Sequence, residues 1–306
     1  MSVHVIFSAF GKASDYPMLE SIKTYPNLKI TCLTARKYGK SWSKYNVMTF
    51  ETFFNPMSLI GKILRFLLRT NLVKQRFKKI RYLILKKSIL RSIFLVPHNL
   101  RHYMALDLVK TLAPEDFIFL VDSRDLIFQV SPIELSKMLS NTGKLNLFDE
   151  GGLHYRDHML QNFQESEANR SWVYKLLNRP PEFNLENVII NGGCIAGSAK
   201  EVKKLLEITT SLIAQSNFGV EELLDQAALN VAVYSGLITE NSIQINKNGV
   251  IVLNMCGIPE NTFTLSEGLI YCDGNLVPII HQFDRFGYYS PGKGITLSRR
   301  DYKIAE

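Results

Sequence analysis

Cysteine is scarce and dispersed in this chain of 306 residues. The four present, Cys32, Cys194, Cys256 and Cys272, lack the paired short spacing of a zinc site and the dense framework of a small secreted domain, so reduced thiols are expected. Long apolar runs are missing too. None approaches the roughly 18 to 20 residues of a spanning helix. The opening MSVHVIFSAF enters a strand-like run without a basic leader, a long apolar core or a cleavage site, so no secretory signal is expected. Nor is there an internal repeat, or a Pro/Gly/Ser linker that would separate freely jointed domains. With 46% apolar and 21% charged residues, the composition excludes disordered and collagen-like chains. A chain this long buries roughly 75% of its unfolded surface and needs no metal or disulfide merely to fold. Any metal must therefore be argued from chemistry, and the expected location is cytoplasmic.

Negative charge is absent from one long stretch. Between Thr52 and Leu106 no Asp or Glu occurs, while 12 of the 36 basic residues fall there, from Lys62 to Arg101. The other 24 (36 less 12) face 28 acids, so the net charge of +8 originates in this stretch. Basic and apolar residues alternate in it, as in SLIGKILRFLLR and RYLILKKSILRSIFLV. Such an amphipathic segment, placed at 55–96, can lie on an anionic membrane surface, each Lys or Arg contributing about 1 kcal/mol near the headgroups. It can equally form a solvated helical hairpin whose apolar face packs on the core. Nucleic acid is not expected as a partner, because no recognition module accompanies the basic residues.

HVIFSAF (4–10), KITCLT (29–34) and FIFLVDS (117–123) read as short buried strands. Apolar residues at three- and four-residue spacing predict helices over Tyr16 to Thr24, much of the basic stretch, and Leu100 to Leu112. VIINGGCIAG (188–197) reads as a strand with a glycine-rich interruption, followed by the helical run SAKEVKKLLEITTSLIAQ and a second helix from Glu221 to Tyr234. VIVLN (250–254) and LVPIIHQF (276–283) return to strand. Strands alternating with helices predict an α/β fold with a mixed, mainly parallel sheet, flanking helices and a basic helical insert.

The phrase FIFLVDSRDLIFQ sets Asp122 and Asp125 directly after a buried strand, where open α/β sheets bind ligands. Two carboxylates three residues apart suit Mg²⁺ or Mn²⁺, which also coordinate a diphosphate; plain turn or capping chemistry gives the same spacing. A neutral imidazole at His281 is a reasonable third ligand for Mn²⁺, and a core histidine bonded to a carbonyl is the alternative. Gly192 and Gly193 allow backbone amides to approach a ligand closely, or form a β-bulge. Asp149 and Glu150, in LNLFDEGG, are candidates for a general base beside an acceptor, with a type I turn or loop as the other reading.

Taken in order, Asn99-Leu100-Arg101, FIFLVD, acids followed by LIF, IINGGCIAG, LLDQAALN and IIHQF resemble a nucleotide-sugar glycosyltransferase of the GT-A fold. The pattern is similar to family 8-like retaining enzymes and the glycosyltransferase domains of lysyl hydroxylases, over about residues 3 to 286. The resemblance implies a hexosyltransferase-like enzyme that uses Mn²⁺ or Mg²⁺ and a nucleotide-diphosphate sugar. Asp122, Asp125 and His281 would be the metal ligands, although Arg124 adds one residue to the usual Asp-x-Asp. Ala9, Phe10, Gly11 and Asp15 would lie near the base. Arg101, Asp122, Ser123, Arg124 and Lys293 would meet the diphosphate or ribose, and Asn191, Gly192 and Gly193 the donor sugar. Of Asp225 and Gln226, one would contact the donor-sugar hydroxyls and the other would lie near the anomeric carbon, with retention of configuration. Residues 1–306 would form a single such domain, with 1–145 as the nucleotide-sugar half carrying the insert and 146–306 as the acceptor half and tail. The acceptor implied is a glycan or lipid-linked glycan of surface-polysaccharide synthesis. The segment 55–96 would then give peripheral contact with the inner face of the cytoplasmic membrane. Two rivals stand beside this reading: a metal-dependent nucleotidyl or phosphoryl transferase, for which FSAFGKASD is a sparse phosphate loop, and a non-catalytic basic binder of membranes or polyanions.

Overall fold

The computed structural model describes residues 1–10, 16–42, 47–52, 91, 95–155, 163–216, 224–255, 258, 260–285, 287–290 and 294–297. Most of the basic segment 55–96, together with Gly11, Asp15, Cys256 and Lys293, lies outside the described residues. The elements run β1 (Val3–Ser8), α1 (Pro17–Ile22), β2 (Leu28–Ala35), α2 (Arg36–Trp42), β3 (Met48–Thr52), α3 (Pro97–Val109), β4 (Phe117–Val121), β5 (Leu126–Phe128), α4 (Pro132–Ser140) and β6 (Leu145–His154). They continue as α5 (Phe163–Leu177), β7 (Val188–Ser198), α6 (Ala199–Gln215), α7 (Asp225–Tyr234), β8 (Ile243–Asn246), β9 (Val252–Asn254), β10 (Thr264–Ser266), β11 (Leu269–Cys272), β12 (Asn275–Leu276), β13 (Ile279–His281), β14 (Gly287–Ser290) and β15 (Gly294–Leu297).

The fold is mixed α/β. A seven-stranded sheet has the order β3-β2-β1-β4-β7-β6-β8, and β7 runs against both its neighbours while every other pairing is parallel. Alternation within the strands makes both faces apolar. Val5 and Phe7 of β1, with Phe117, Phe119 and Val121 of β4, pack on one side with Met18, Leu135 and Trp42. Ile6, Ile118 and Leu120 pack on the other with side chains of α3, α6 and α7. These are the strands whose compact apolar runs the sequence shows. Among the described residues no helix is long and apolar enough to cross a membrane.

Three local readings change. The DEGG phrase is not a turn: β6 runs straight through it, carried by left-handed backbone at Gly151 (φ 65°) and Gly152 (φ 76°), a conformation glycine adopts without steric cost. LVPIIHQF is not one strand, because β12 ends at Leu276 and β13 starts at Ile279, either side of Pro278, which has no N–H to donate. The glycine-rich interruption in 188–197 lies in the pairing and not in the strand itself. Ile190 and Ile195 of β7 face Asp149 and Leu147 of β6, so residues 191–194 bulge from that ladder.

Of the 12 Lys and Arg residues of the acid-free stretch two are described, and both face inward. Arg91 pairs with Asp107 at 3.0 Å and lies over the Tyr103 ring, and Arg101 is buried. Next to it His102 is 1% exposed and bonds Thr209 Oγ1 at 3.1 Å. Burial, only partly countered by Asp225, brings its imidazole down to about 4. The unfolded chain binds this proton below about pH 6.5, so folding stability is expected to fall as pH drops from about 6.5 to 4, by on the order of 3 kcal/mol. Urea unfolding across this range should show that slope, and His102→Gln should flatten it.

Candidate metal centre and ligand cavity

Strands β1 and β4 are parallel neighbours, so their carboxyl ends open on the same side of the sheet. There a cavity of about 530 Å³ is lined by Ala9, Phe10, Arg101, Asp122, Ser123, Arg124 and Asp125, among others. Ser123 Oγ donates to the carbonyl of Ser8 at 3.1 Å and ties the two strand ends together. Six residues that the sequence places near a nucleotide or diphosphate thus meet around one space, joined by Asp125.

From the far end of the chain Asp284 also lines the cavity, and the strand before it brings a third candidate ligand to the acids. β13 is sandwiched between β5 and β9, with His281 opposite Leu126 on one side and Asn254 on the other. This register brings the buried His281 ring beside the acids on either side of the chain turn before β5. Nε2 of His281 lies 3.4 Å from Asp122 Oδ2 and 3.7 Å from Asp125 Oδ1. One ligand atom from each of Asp122, Asp125 and His281 falls within 4.8 Å of the others. After β13 the chain turns at Gln282, a non-glycine residue at φ 61°. Its N–H donates to the Asp125 carbonyl at 2.6 Å, so left-handed backbone at this functional edge is held by its neighbours.

Three observations show that these residues fit a divalent cation. His281 Nε2 is buried and makes no well-aligned hydrogen bond, only the approaches of 3.4 and 3.7 Å to Asp122 and Asp125, so a ligand held between the three would complete its bonding. A Cβ on Gly193 would sit 2.4 Å from His281 Cε1 and 2.7 Å from Asp122 Oδ2, so only glycine leaves the cradle open there. The donor set, two carboxylates and an imidazole, is chemically suited to Mn²⁺ or Mg²⁺.

The charges point the same way. Arg101, one turn into α3, donates to Asp122 Oδ1 through Nη1, and its Nη2 reaches Asp225 Oδ2 at 2.7 Å and the Gly192 carbonyl at 3.0 Å. Burial raises Asp122, but the Arg101 guanidinium and then His281 outweigh it and hold the carboxyl well below the usual range. Asp225 is lowered in the same manner, burial being outweighed first by Arg101. Asp125 lacks such a partner, and burial raises it. Burial also acts to lower His281, yet the flanking Asp122 and Asp125 raise it above the ordinary imidazole. The guanidinium thus serves Asp122 and Asp225, while Asp125 has only the imidazole of His281 beside it, and a divalent cation would favour the ionised form of Asp125.

The bulge of β7 supplies the remaining candidates. Where the ladder to β6 is lost, side-chain amides satisfy the backbone. Gln226 and Asn230, one turn apart on α7, take this role: Gln226 Oε1 accepts from Gly192 N at 2.8 Å, and Asn230 bonds both N and O of Ile190 at 2.8 Å. Asn191 Oδ1 accepts from Gly193 N at 2.6 Å. Asn191 and Gln226 both donate to Glu150 Oε2, at 2.8 and 2.9 Å, and Gln282 donates to Oε1 at 3.1 Å. Glu150 is therefore a buried junction of three amides. The Asp149 carboxylate accepts from the backbone of Gly152 at 3.1 Å and of Asn248 at 3.0 Å, which gives it a task in holding the chain.

Sequence reasoning missed Asn254, Gln282 and Asn169, the last accepting from Gln226 Nε2 at 2.8 Å. A signal existed for the first: VIVLN and PIIHQF each end an apolar run on a polar residue, and those two polar residues are register partners.

No family model matches the chain, and no curated protein matches it. Among solved structures it is similar to mouse xyloside xylosyltransferase 1 in its apo form, with 12% identity over 92% of this chain and 97% of that one and a TM-score of 0.49. It is also similar to the galactosyltransferase LgtC in complex with donor and acceptor sugar analogues, with 13% identity over 95% of this chain and 88% of that one and a TM-score of 0.47. At these values the likeness is one of chain outline, and the chemistry has to be read from the residues.

Proposed function

We propose that this protein is a metal-dependent glycosyltransferase of the GT-A type. It would move a sugar, with retention, from a nucleotide-diphosphate donor to a glycan or lipid-linked glycan acceptor. The observation that carries the reading is the junction of Asp122, Asp125 and His281, two of which line an open cavity. A phosphoryl-transfer enzyme would share the acids, and the donor-hydrolysis screen below separates the two.

In the reaction the bond from the sugar's anomeric carbon to the phosphate oxygen breaks, and its electron pair leaves with the diphosphate. The acceptor oxygen bonds to the same carbon on the same face, and its proton passes to the departing phosphate oxygen. Positive charge grows on the sugar and negative charge on the leaving group. Asp122, Asp125 and His281 would hold Mn²⁺ or Mg²⁺, which when bound supplies neutralisation of the diphosphate charge. Arg101 fixes Asp122 and Asp225 in their ionised forms, so that a negative carboxylate is available on the sugar side as well as on the metal side. Glu150 orients Asn191 and Gln226, which shape the donor-sugar side, and the apolar strands around the site keep water out and the local dielectric low.

Thermal unfolding with UDP and GDP, each with and without Mn²⁺, tests this reading. The nucleotide is expected to stabilise only when Mn²⁺ is also present, by about 2.7 kcal/mol at nucleotide 100-fold above its Kd. A response to polyanions alone would instead favour a basic binding protein. A donor-hydrolysis screen over common nucleotide sugars then identifies the sugar, and NMR of the product anomer decides retention.

Peripheral membrane contact through 55–96 belongs to the same proposal, on the strength of the acid-free composition of that stretch. Vesicles with anionic lipid are expected to sediment the protein at low salt and release it at high salt. No sedimentation at low salt would remove the membrane from the proposal and leave the enzyme reading intact.

A further inference from the structure

We infer that Asn254 is a positioning residue that decides which nitrogen of His281 carries the hydrogen, and so leaves the Nε2 lone pair free towards the cation position between Asp122, Asp125 and the ring. The inference rests on the metal-site reading above and deepens it.

The hydrogen-bond partners of the Asn254 amide allow one arrangement. Its Nδ2 donates to the backbone carbonyl of Asp149, an atom that can only accept. Its Oδ1 lies 2.6 Å from His281 Nδ1 and also only accepts, so Nδ1 must carry the hydrogen of that bond. In a neutral imidazole this leaves Nε2 as the bare nitrogen, and Nε2 is the atom between the two aspartates. Turning the amide over would oppose Asn254 Oδ1 to the Asp149 carbonyl and lose that bond.

The amide is itself held in place. Asn248 Oδ1 accepts from Asn254 N at 2.7 Å, and Asn248 Nδ2 donates to Asn254 O at 3.2 Å. The N–H of Asn248 donates to Asp149 Oδ2 at 3.0 Å. Asp149 therefore anchors both ends of a relay, with its carbonyl on Asn254 and its carboxylate on Asn248. Fixing a ligating histidine through its second nitrogen sets its orientation and raises its basicity towards a metal.

Protein labelled with ¹⁵N-histidine provides the test, because two-bond nitrogen–proton correlations report the tautomer of metal-free His281 at a pH where the ring is neutral. The hydrogen is expected on Nδ1 in the wild type, and a hydrogen on Nε2 overturns the inference. Asn254→Asp retains an acceptor on Nδ1 and is expected to keep the tautomer, with manganese affinity by electron paramagnetic resonance within about threefold. Asn254→Leu removes the acceptor and is expected to release the tautomer and weaken manganese binding by about 10- to 100-fold. A leucine variant with unchanged tautomer and affinity refutes the role. Should that variant not fold, Asn248→Ala loosens Asn254 without touching His281, and affinity is expected to fall by about tenfold; unaltered affinity then counts against the relay. A wild type that binds no manganese would sink the metal reading, whereas the spectrum separately decides whether Asn254 sets the ring.

Discussion

His281→Ala is expected to abolish the joint stabilisation by nucleoside diphosphate and Mn²⁺, and to lower manganese affinity and donor turnover by at least about 100-fold. The magnitude follows from position: changes to residues that merely support a metal ligand cost 10- to 100-fold, and this side chain would be the ligand. It is the buried member of the cluster, fixed through Nδ1 by Asn254 and facing Asp122 and Asp125 through Nε2. Removing it also leaves Asn254 Oδ1 buried without its partner, so about 1–3 kcal/mol of stability should be lost. Asp125→Asn separates the two effects. Burial already disfavours the Asp125 charge, so the metal-free variant is expected to be as stable as the wild type or more so, within about 1 kcal/mol, while manganese binding collapses. Stability and function moving in opposite directions is the signature of a functional site held against the preference of the fold. Manganese titration and urea unfolding on both variants check this, and a His281→Ala protein that binds manganese like the wild type refutes the centre.

Much of the frame was legible because buried strands cannot help showing themselves. FIFLV and its neighbours are covered on both faces by helices, so they read as unbroken apolar runs, and acids at the end of such a run are conspicuous. Helix α6 was equally plain, with Ser198 Oγ accepting from Glu201 N at 3.3 Å at its start. What local pattern alone could not supply was the meeting of His281 with Asp122 and Asp125. That depends on β5, β9 and β13, three strands of three residues each, too short for a period to register. The same brevity hid Asn254. The DEGG phrase misled for a different reason: paired glycines after two acids carry every sign of a turn, yet here their positive φ serves a strand crowded by the bulge opposite. Gln226 and Asn230 were readable as one face of a helix, but not as replacements for a lost ladder, because the loss occurs on another element.

Arg101→Ala is expected to cost about 3–5 kcal/mol of stability, enough to leave the protein barely folded, because it strands carboxylates that the guanidinium holds ionised in a buried setting. The effect should depend on pH in a specific direction. In the wild type, Asp122 and Asp225 are depressed below the unfolded value, so their contribution is full above about pH 4 and is lost as the pH falls through their folded values. Without Arg101 the largest influence that opposes burial is gone, both groups rise, and the variant loses stability as pH increases through the raised values. The gap between wild type and variant should therefore be smallest near pH 4 and widest at pH 8, as read by urea unfolding at each pH. Arg101→Lys restores the charge but not the fork that spans Asp122, Asp225 and the Gly192 carbonyl, so partial rescue is expected. Adding Asp225→Asn to Arg101→Ala removes one of the stranded charges and should recover part of the loss. If the single changes at 101 and 225 simply add, the two residues are not coupled, and the picture of one guanidinium steadying both carboxylates fails.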